Sequence, residues 1–345
     1  MKLDLTGKHI LVTGACGTIG RELVRQLLET RHVKKLIALD NNESELFFLE
    51  HKFSTCPQAS FFLADIRDKD KLCQMLKGID VVFHTAAFKH ITLCERSPFE
   101  AVQTNIMGVR NLITAAGENK VEHIIFTSSD KAVNPTSVMG TSKLMGERLM
   151  TAANSNLHGD GPVFVSTRFG NVLGSRGSVI SVFCDQIKHG GPVTLTDPDM
   201  TRFIMSLKDA VRLVIESAGL AHGGEVFITK MASIRIQDLA EVMIYNMAPV
   251  FGYRPEDIRI EIIGVKPGEK MYEELLSEEE IRRTWELKNY FVVLPPFTTL
   301  YGNINYKYTD VISKDVTDPY RSMSAKPLSK NKLADFLHKH NLLKK

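Results

Sequence analysis

The stretch Thr13-Gly14-Ala15-Cys16-Gly17-Thr18-Ile19-Gly20 directly follows the apolar run His9-Ile10-Leu11-Val12 and opens a segment with helical spacing. Glycines between a strand and a helix allow a tight turn and a close approach of the backbone to a phosphate group. Glycine also serves in purely structural turns, so the G-x-x-G-x-x-G spacing is weak evidence alone. Its position after the first strand favours a dinucleotide site, with contacts expected from Thr13, Gly14, Gly17, Thr18, Ile19 and Gly20.

The first half of the chain alternates short apolar runs with segments of helical periodicity. Apolar runs occur at residues 36–39, 61–63, 81–83 and 124–126, and residues 97–116 are predicted to form a helix with Ser97 as N-cap and Pro98 at its first position. Continuous apolar strands separated by helices are typical of a parallel sheet covered on both faces. We therefore predict an α/β fold with a doubly wound parallel Rossmann sheet and a smaller C-terminal substrate-binding lobe.

The composition of the sequence changes after Arg168, where glycine and proline become frequent. Helical periodicity returns at residues 206–218, and residues 226–228 and 260–263 have strand character. We expect Glu278-Glu279-Glu280 to be the solvated start of a helix. The predicted domains are a dinucleotide-binding domain (1–170 and roughly 203–245), a nucleotide-sugar-binding lobe (171–202 and roughly 246–325), and a basic amphipathic C-terminal helix (326–345).

Composition excludes several classes of protein. The 345 residues are 43% apolar and 24% charged, as in a globular protein, and the net charge of +3 indicates neither a nucleic-acid nor a membrane partner. No apolar run is long enough to span a bilayer, and the first residues lack the layout of a signal peptide. The five cysteines form no C-x-x-C pair, so we expect no metal site and a cytoplasmic location with reduced thiols.

Asp40 bears on the choice of cofactor. It ends the second apolar run, twenty residues after Gly20, where a carboxylate can bind both hydroxyls of an adenosine ribose. The same carboxylate repels a 2′-phosphate, and the next residues include no arginine, so NAD is favoured over NADP without excluding it. The other residues expected to contact the cofactor are Asn41, Asp65, Ile66, Ala86, Ala87, Lys89, Asn105, Lys143 and Val172.

The segment after the fifth apolar run carries most of the reactive side chains. Ser129-Asp130-Lys131 comes first, and Met139 and Lys143 follow one helical turn apart. Ligands of open α/β sheets lie beyond the carboxyl ends of the strands, so this segment is well placed for catalysis. A surface Asp-Lys pair in a serine-rich turn is the alternative interpretation.

These motifs resemble the extended short-chain dehydrogenase/reductase superfamily, and within it the UDP-N-acetylglucosamine 4,6-dehydratases. The resemblance covers nearly the whole chain and includes three further motifs, at residues 168–179, 200–203 and 266–274. The superfamily carries a tyrosine base at the position of Met139, and one branch of the dehydratases carries methionine there. A thioether neither donates nor accepts a proton in catalysis. The acceptor of the 4-hydroxyl proton is therefore open.

The resemblance implies oxidation at sugar C4 by NAD(P), loss of the C5 proton and of water from C6, and return of hydride to C6. Lys131 is then the C5 base, Asp130 the acid for the departing hydroxyl, Ser129 the residue that holds the 4-hydroxyl, and Lys143 the one that binds the nicotinamide ribose. The residues expected to bind the sugar nucleotide are Lys89, Asn171, Arg176, Val179, Arg202, Lys266 and Glu269. Arginines at 176 and 202 suit a pyrophosphate.

Several alternatives stay open on the sequence. A nucleotide-sugar 4-epimerase or oxidoreductase of the same superfamily is the second candidate, although such enzymes ordinarily keep the tyrosine. The third is a non-catalytic protein that binds NAD or a nucleotide sugar. For the dehydratase, the nucleotide (UDP or GDP) and the stereochemistry at C5 are undetermined. We expect a homo-oligomer and a product used for bacterial surface glycans or nonulosonic acids.

Overall fold

The computed structural model describes residues 3–155, 161–175, 178–264, 269–297 and 304–343. The chain divides into two compact units. The first unit consists of Met1–Phe169, Ala210–Lys230 and Leu276–Asp318, and the second of Gly170–Asp209, Met231–Leu275 and Pro319–Lys345.

The elements up to residue 169 alternate between strand and helix. They are β1 (His9–Thr13), α1 (Thr18–Thr30), β2 (Lys35–Asp40), α2 (Glu43–Lys52), β3 (Ala59–Leu63), α3 (Lys69–Met75), β4 (Val81–His84), α4 (Ile91–Arg96), α5 (Pro98–Ala101), a π-helical segment (Val102–Met107), α6 (Gly108–Glu118), β5 (His123–Ser129), a 3-10 turn (Asp130–Ala132), α7 (Val138–Ala153) and β6 (Val163–Phe169).

The later elements belong to both units. They are β7 (Asn171–Leu173), α8 (Val179–Lys188), β8 (Val193–Leu195), β9 (Thr201–Ser206), α9 (Leu207–Ala218), β10 (Val226–Thr229), β11 (Ala232–Arg235), α10 (Ile236–Met247), two 3-10 turns (Pro249–Phe251 and Pro255–Asp257), β12 (Ile260–Ile262), β13 (Glu274–Leu276), α11 (Glu278–Ile281), β14 (Thr284–Leu287), β15 (Tyr290–Val293), β16 (Val311–Ser313), β17 (Tyr320–Arg321) and α12 (Lys330–Lys339).

The first unit is built on a ten-stranded sheet of order β16-β14-β15-β10-β6-β5-β4-β1-β2-β3. The strands from β10 to β3 pair in parallel, and β15, β14 and β16 extend the sheet antiparallel. The predicted doubly wound α/β fold is therefore confirmed. The order of the strands reverses between β1 and β4, which places the glycine turn after β1 at the crevice where such sheets bind ligands.

The core of the first unit forms where helices cover the sheet with their apolar faces. Leu11, Val82 and Ile124 of three neighbouring strands are fully buried, and they belong to one cluster with Val109 and Leu112 of α6. Each such side chain contributes about 2 kcal/mol through removal of apolar surface from water. This packing holds the carboxyl ends of β1, β4 and β5 in place.

The second unit has its own sheet and its own core. Its three strands lie in the order β11-β9-β7, and two-stranded pairs join β12 with β8 and β13 with β17. Phe183, Met243 and Leu337, from α8, α10 and α12, are buried in one hydrophobic cluster. The C-terminal segment thus contains an amphipathic helix that buries Leu333 and Leu337, as its apolar spacing predicts.

Two local predictions need correction. The helix expected over 97–116 begins with Pro98, but its middle, Val102–Met107, is π-helical, and Ser97 makes no side-chain capping hydrogen bond. Glu280 is buried rather than solvated, because its carboxylate completes a capping box with Ser277 and reaches a buried arginine.

The division of the chain also differs from the predicted one. Residues 276–318, expected in the substrate lobe, belong to the first unit because β14, β15 and β16 extend its sheet. Residues 231–245, expected in the dinucleotide-binding domain, belong to the second unit. Which ligand each unit binds stays a prediction.

Candidate active site

The turn after β1 leaves no room for side chains at two of its glycines. Gly14 has a φ of +68°, and a Cβ atom there would lie 2.6 Å from the backbone nitrogen of Ala86. A Cβ atom on Gly20 would lie 2.1 Å from the carbonyl oxygen of Gly14. The hydroxyl of Thr85 donates to the carbonyl of Thr13 at 2.8 Å, which ties the loop after β4 to this turn.

The N-terminus of α1 faces the same turn. The first N–H groups of a helix have no partners within the helix, and the N-cap of α1 is Gly17, which has no side chain to satisfy them. An anionic phosphate suits such a terminus. The turn therefore has the geometry that a dinucleotide pyrophosphate requires, and it fits the predicted cofactor.

Asp40, at the end of β2, is held in a fixed orientation. Its two carboxylate oxygens accept hydrogen bonds from the backbone N–H of Cys16 at 2.8 Å and of Asn42 at 3.0 Å. The structure also brings Arg21 to this corner, where its Nε donates to the carbonyl of Cys16 and its Nη2 pairs with Glu45. Sequence reasoning missed this arginine because it searched only the residues that follow Asp40.

Asp65 and Ile66 are already engaged within the first unit. The Asp65 carboxylate binds Arg67, with 2.7 Å between Oδ2 and Nη2, and it also accepts from Asn41 at 3.3 Å. Hydrogen bonding to Arg67 lowers the pKa of Asp65, so this carboxylate is ionised. Ile66 is buried in the hydrophobic core. Their expected contacts with the adenine stay a prediction.

Asn105 joins the loop after β4 to the helix that carries Lys143. Its Oδ1 accepts from the N–H of Phe88 at 2.8 Å, and its Nδ2 donates to the carbonyl of Phe88 at 3.0 Å and to the hydroxyl of Ser142 at 2.8 Å. Ser142 in turn donates to the carbonyl of Met139. Asn105 lies in the π-helical segment, whose irregular backbone no periodicity in the sequence predicts.

The loop after β4 also carries three residues expected to contact the cofactor. Ala86 lies against Gly14 through its backbone, which leaves the two chain segments almost in contact. Ala87 is partly buried and Lys89 is exposed. The roles of Ala87 and Lys89 stay predictions.

Ser129, Asp130 and Lys131 form a compact group at the end of β5. The hydroxyl of Ser129 accepts from the N–H of Lys131 at 3.1 Å, which starts the 3-10 turn. Lys131 Nζ lies 3.1 and 3.2 Å from the two oxygens of Asp130. The side chain of Asp130 is 7% exposed and that of Lys131 is 34% exposed, so the carboxylate is almost fully buried whereas the lysine side chain reaches solvent.

Lys143 is buried beside this group. Its ammonium donates to the carbonyl of Thr127 at 3.0 Å and lies 4.8 Å above the ring of Phe126. Burial lowers the pKa of Lys143 to about 8, although the negative charge of Glu147 opposes the shift. Met139, one turn earlier, is buried against Cys94 and Ala101.

His84 shares the Phe126 ring with Lys143. Its ring stacks on Phe126, and its Nδ1 bonds to the hydroxyl of Thr13 at 2.6 Å. Burial, together with the charge of Lys143, lowers the pKa of His84 to about 3, so the imidazole is neutral.

A buried charge network lies one helical turn beyond Lys143. Arg168 donates to both oxygens of Glu147, at 3.0 and 2.6 Å, and to both oxygens of Glu280, at 3.0 Å each. All three side chains are buried. Sequence reasoning missed this network, because residues 147, 168 and 280 are far apart in the chain and carry no common motif.

In the second unit, two predicted substrate-binding residues meet at a glutamate that was not predicted. Asn171 Nδ2 donates to Glu273 Oε1 at 2.6 Å, and Arg202 Nε lies 3.6 Å from the same oxygen. The signal that could have found Glu273 is its place in the motif 266–274.

Five further predicted residues belong to the second unit by sequence, and the structure describes three of them. Val172 is buried in β7, Val179 begins α8 and packs on the core of the second unit, and Glu269 is exposed. Arg176 and Lys266 lie outside the described residues.

The comparison with protein families decides the assignment. A family model described as "Polysaccharide biosynthesis protein" matches residues 10–295, which is most of the chain. The chain belongs to this family. Within the polysaccharide biosynthesis protein family, an uncharacterized membrane protein of Methanocaldococcus jannaschii is 51% identical over 96% of this chain and 95% of its own length. None of the described helices is both long enough and apolar enough to cross a bilayer.

Two further relatives bear on function. A UDP-N-acetylglucosamine 4,6-dehydratase (inverting) of Campylobacter jejuni is 37% identical over 84% of this chain and 83% of its own length. A UDP-glucose 4-epimerase of Rickettsia bellii is 38% identical over 82% of each chain. The expected resemblance to nucleotide-sugar dehydratases is therefore confirmed.

A solved structure agrees with the fold over almost the full length. The X-ray structure of Pen from Bacillus thuringiensis superposes with a TM-score of 0.88 at 38% identity, and it covers 98% of this chain and 99% of its own.

Proposed function

We propose that this family member is a nucleotide-sugar 4,6-dehydratase that acts on UDP- or GDP-N-acetylglucosamine and uses NAD. One observation carries the proposal. At the end of β5, the buried carboxylate of Asp130 and the partly exposed amine of Lys131 are in hydrogen-bond contact. The position of the usual tyrosine base is occupied by the buried Met139. The carboxyl group and the amine can serve as the acid and the base of an elimination, a step that a simple oxidation does not include.

The described residues fit a dinucleotide. Gly14 and Gly20 admit the pyrophosphate, Asp40 suits the adenosine ribose, and Lys143 supplies a buried donor for the nicotinamide ribose. NAD held by these residues would supply the hydride acceptor for oxidation at sugar C4 and the hydride donor for reduction at C6. The predicted contacts through Lys89 and Val172 belong to the same proposal.

The Asp130–Lys131 pair supplies the proton chemistry. A neutral Lys131 takes the proton from C5, and a protonated Asp130 gives its proton to the 6-hydroxyl, which leaves as water. When hydride is added at C6, a proton that has exchanged with solvent is returned to C5, which completes the 4-keto-6-deoxy product. These forms differ from the ion pair only by one proton moved across a contact of 3.1 Å, and their summed charge is the same. Exclusion of water by a bound sugar favours the neutral form, because burial penalises both charges.

Ser129 and Lys143 complete the assignment. The hydroxyl of Ser129, fixed by the N–H of Lys131, is the group we assign to the sugar 4-hydroxyl. Met139 cannot take that proton, so we assign its transfer to solvent to a water at Ser129 that relays it. Asn171 and Arg202 are assigned to the sugar nucleotide, together with Arg176, Val179, Lys266 and Glu269.

The choice of NAD over NADP rests on charge. Asp40 accepts a hydrogen bond from the N–H of Cys16, and Arg21, which donates to the carbonyl of the same residue, is already paired with Glu45. A 2′-phosphate would therefore meet two carboxylates, which disfavours NADP. A cytoplasmic location, a homo-oligomeric state and a product for surface-glycan synthesis remain predictions.

The test is turnover in heavy water. The purified protein, loaded with NAD, is incubated with UDP- or GDP-N-acetylglucosamine, and the product mass is followed. We expect the loss of one water and the gain of one deuterium, with no net NADH. Accumulation of NADH would indicate a dehydrogenase, and an unchanged mass with both sugars, despite cofactor binding, would contradict the proposal.

A 4-epimerase is the second candidate, because the Rickettsia relative carries that name at 38% identity. An epimerase inverts the configuration at C4 without loss of water, so the product would keep the mass of the substrate and change its proton NMR couplings. A non-catalytic protein would bind the ligands and leave both mass and NMR spectrum unchanged.

A further inference from the structure

We propose that Glu273 is the positioning residue of the nucleotide-sugar site in the second unit. The inference rests on the proposed function and adds to it a residue to which no role has been assigned. Glu273 is 4% exposed, so it does not present its own carboxylate broadly to solvent. Its effect would pass through Asn171 and Arg202, which it contacts.

One carboxylate holds two strands of the second unit. Oε1 accepts from Asn171 Nδ2 at 2.6 Å, at the start of β7, and Oε2 accepts from the backbone N–H of Phe203 at 2.8 Å, within β9. Gly170 permits this approach, because a Cβ atom there would lie 3.0 Å from the Cβ of Phe203 and 3.4 Å from Oε2.

The contact determines how Asn171 can meet a ligand. An ionised carboxylate only accepts hydrogen bonds, so Asn171 must turn its Nδ2 toward Glu273. The Oδ1 atom is then directed away from Glu273 as an acceptor. An amide oriented in this way recognises an N–H or O–H donor, such as those of a nucleotide or an acylamino sugar.

Arg202 is held at the same carboxylate. Its Nε lies 3.6 Å from Glu273, and its Nη1 donates to the carbonyl oxygens of Thr201 at 2.8 Å and Met271 at 3.3 Å. Removal of the Glu273 charge would leave the partly buried guanidinium of Arg202 without this anionic neighbour, which is unfavourable for a buried charge. Glu273 thus places an acceptor and a cation beside each other.

The backbone of Glu273 is itself anchored. Its N–H donates to the hydroxyl of Ser322 at 2.9 Å, and its carbonyl accepts from the N–H of Ser322 at 2.8 Å. The hydroxyl of Ser322 also bonds to that of Thr201 at 2.8 Å. The carboxylate is therefore presented from a rigid support, as precise positioning requires.

The neighbouring Glu274 offers a matched control. It is equally buried, but its carboxylate pairs with Arg321 at 2.7 Å. A change of charge at Glu274 tests the structural cost of removing a buried carboxylate from the same segment. The difference between the two positions then reports on positioning.

The experiment compares E273Q and E274Q in the full chain. The E273Q side chain has an amide N–H₂ in place of one acceptor, so it must face either Asn171 Nδ2 or the N–H of Phe203 with a donor. We expect E273Q to raise KM for UDP- or GDP-N-acetylglucosamine by about tenfold, with kcat changed less than about threefold. Calorimetric affinity for NAD should stay within about twofold of the wild type in both variants.

The double variant E273Q/N171A checks the route of the effect. If Glu273 acts through Asn171, the double variant should have nearly the KM of N171A, because the two losses are not additive. Should E273Q fail to fold, E273D replaces it, since that variant keeps the charge and shortens the reach, and an intermediate rise in KM is expected.

The outcomes are separable from those of the proposed function. If the wild type neither turns over nor binds either sugar nucleotide, both proposals fail. If the wild type is active and E273Q and E274Q raise KM equally, or if E273Q lowers only kcat, the positioning role of Glu273 is refuted and the dehydratase proposal stands.

Discussion

The glycine turn and the charged group at the end of β5 lie in the same unit, but they are built in opposite ways. The turn depends on the absence of side chains, since Gly14 and Gly20 would clash with backbone atoms if they carried a Cβ. The charged group depends on the side chains of Asp130 and Lys131 and on what surrounds them. One region is made of backbone, and the other of interacting charges.

This difference explains why the amino-acid sequence predicts the glycine turn better than it predicts the surroundings of the charged group. A backbone site leaves a spacing in the sequence, because only glycine fits at fixed positions. A charged site owes its properties to burial and to partners from distant segments, such as the Arg168 that holds Glu147 beyond Lys143. Those partners become neighbours only after the sheet has formed.

The largest effect is expected for Lys131→Ala, which removes the proposed base and leaves the turn intact. We expect kcat for sugar dehydration to fall about 10³-fold, the range of general base catalysis, with NAD affinity unchanged. Mass-spectrometric turnover and calorimetry with NAD measure the two. Lys34→Ala, at an exposed lysine, is the control and should be fully active. Retained water elimination in Lys131→Ala would remove Lys131 from the mechanism.

Gly14→Ala is the converse change, because it adds a methyl group to the backbone site. The new Cβ would lie 2.6 Å from the nitrogen of Ala86 at a residue whose φ is +68°, so the turn must open. We expect NAD affinity to fall about 100-fold, or about 3 kcal/mol. Gly117→Ala, in α6, adds a Cβ that would have no atom beyond the local helix backbone within 4 Å, so this variant should bind NAD normally. Equal affinities in both variants would contradict the role of the turn.

Glu280→Gln tests the buried charges for stability. It removes one partner of the fully buried Arg168, and we expect the free energy of unfolding to fall by about 3 kcal/mol at pH 7. The exposed neighbour Glu279, paired with Arg283, is the control, and its glutamine variant should cost less than about 1 kcal/mol. Denaturant titrations give both values.

The same variant predicts a pH dependence. Burial opposes the ionisation of Glu280, but pairing with Arg168 outweighs it and lowers the pKa of Glu280 from 4.5 to about 2. A group with a depressed folded pKa stabilises above its unfolded value, and that contribution is lost as the pH falls from 4.5 towards 2. The stability gap between wild type and Glu280→Gln should therefore narrow over this range. If the difference in the free energy of unfolding between the wild type and Glu280→Gln stays constant over this range, the charge of Glu280 does not stabilise the folded protein.

Much of the fold could be predicted because its signals are local. The apolar runs that became β1, β2, β4 and β5 lie between helical segments, and the parallel sheet follows from them. The antiparallel extension by β14, β15 and β16 could not be predicted, since these short strands pair with a sheet formed far earlier in the chain. The contacts that Asp40 and Arg21 make with Cys16, and the contact of Glu273 with Asn171, likewise form only in the folded chain.

Asp40 is a charged side chain that contacts the glycine turn, and its replacement has the smallest expected effect of these substitutions. Its oxygens accept from the N–H groups of Cys16 and Asn42, and its charge opposes a 2′-phosphate. We expect Asp40→Asn to shift the ratio of NADP to NAD affinity about tenfold towards NADP. Glu50→Gln, an exposed acid on α2, should leave the ratio unchanged.

Adding Glu45→Gln should extend the shift, because it releases Arg21 from its ion pair next to the turn. A guanidinium freed in that place can bind a 2′-phosphate in bidentate fashion. If the double variant prefers NADP more than Asp40→Asn does, the charges of the side chains around Cys16 determine which cofactor binds at the glycine turn. If neither variant moves the ratio, the preference is set elsewhere, and the backbone turn alone accounts for binding.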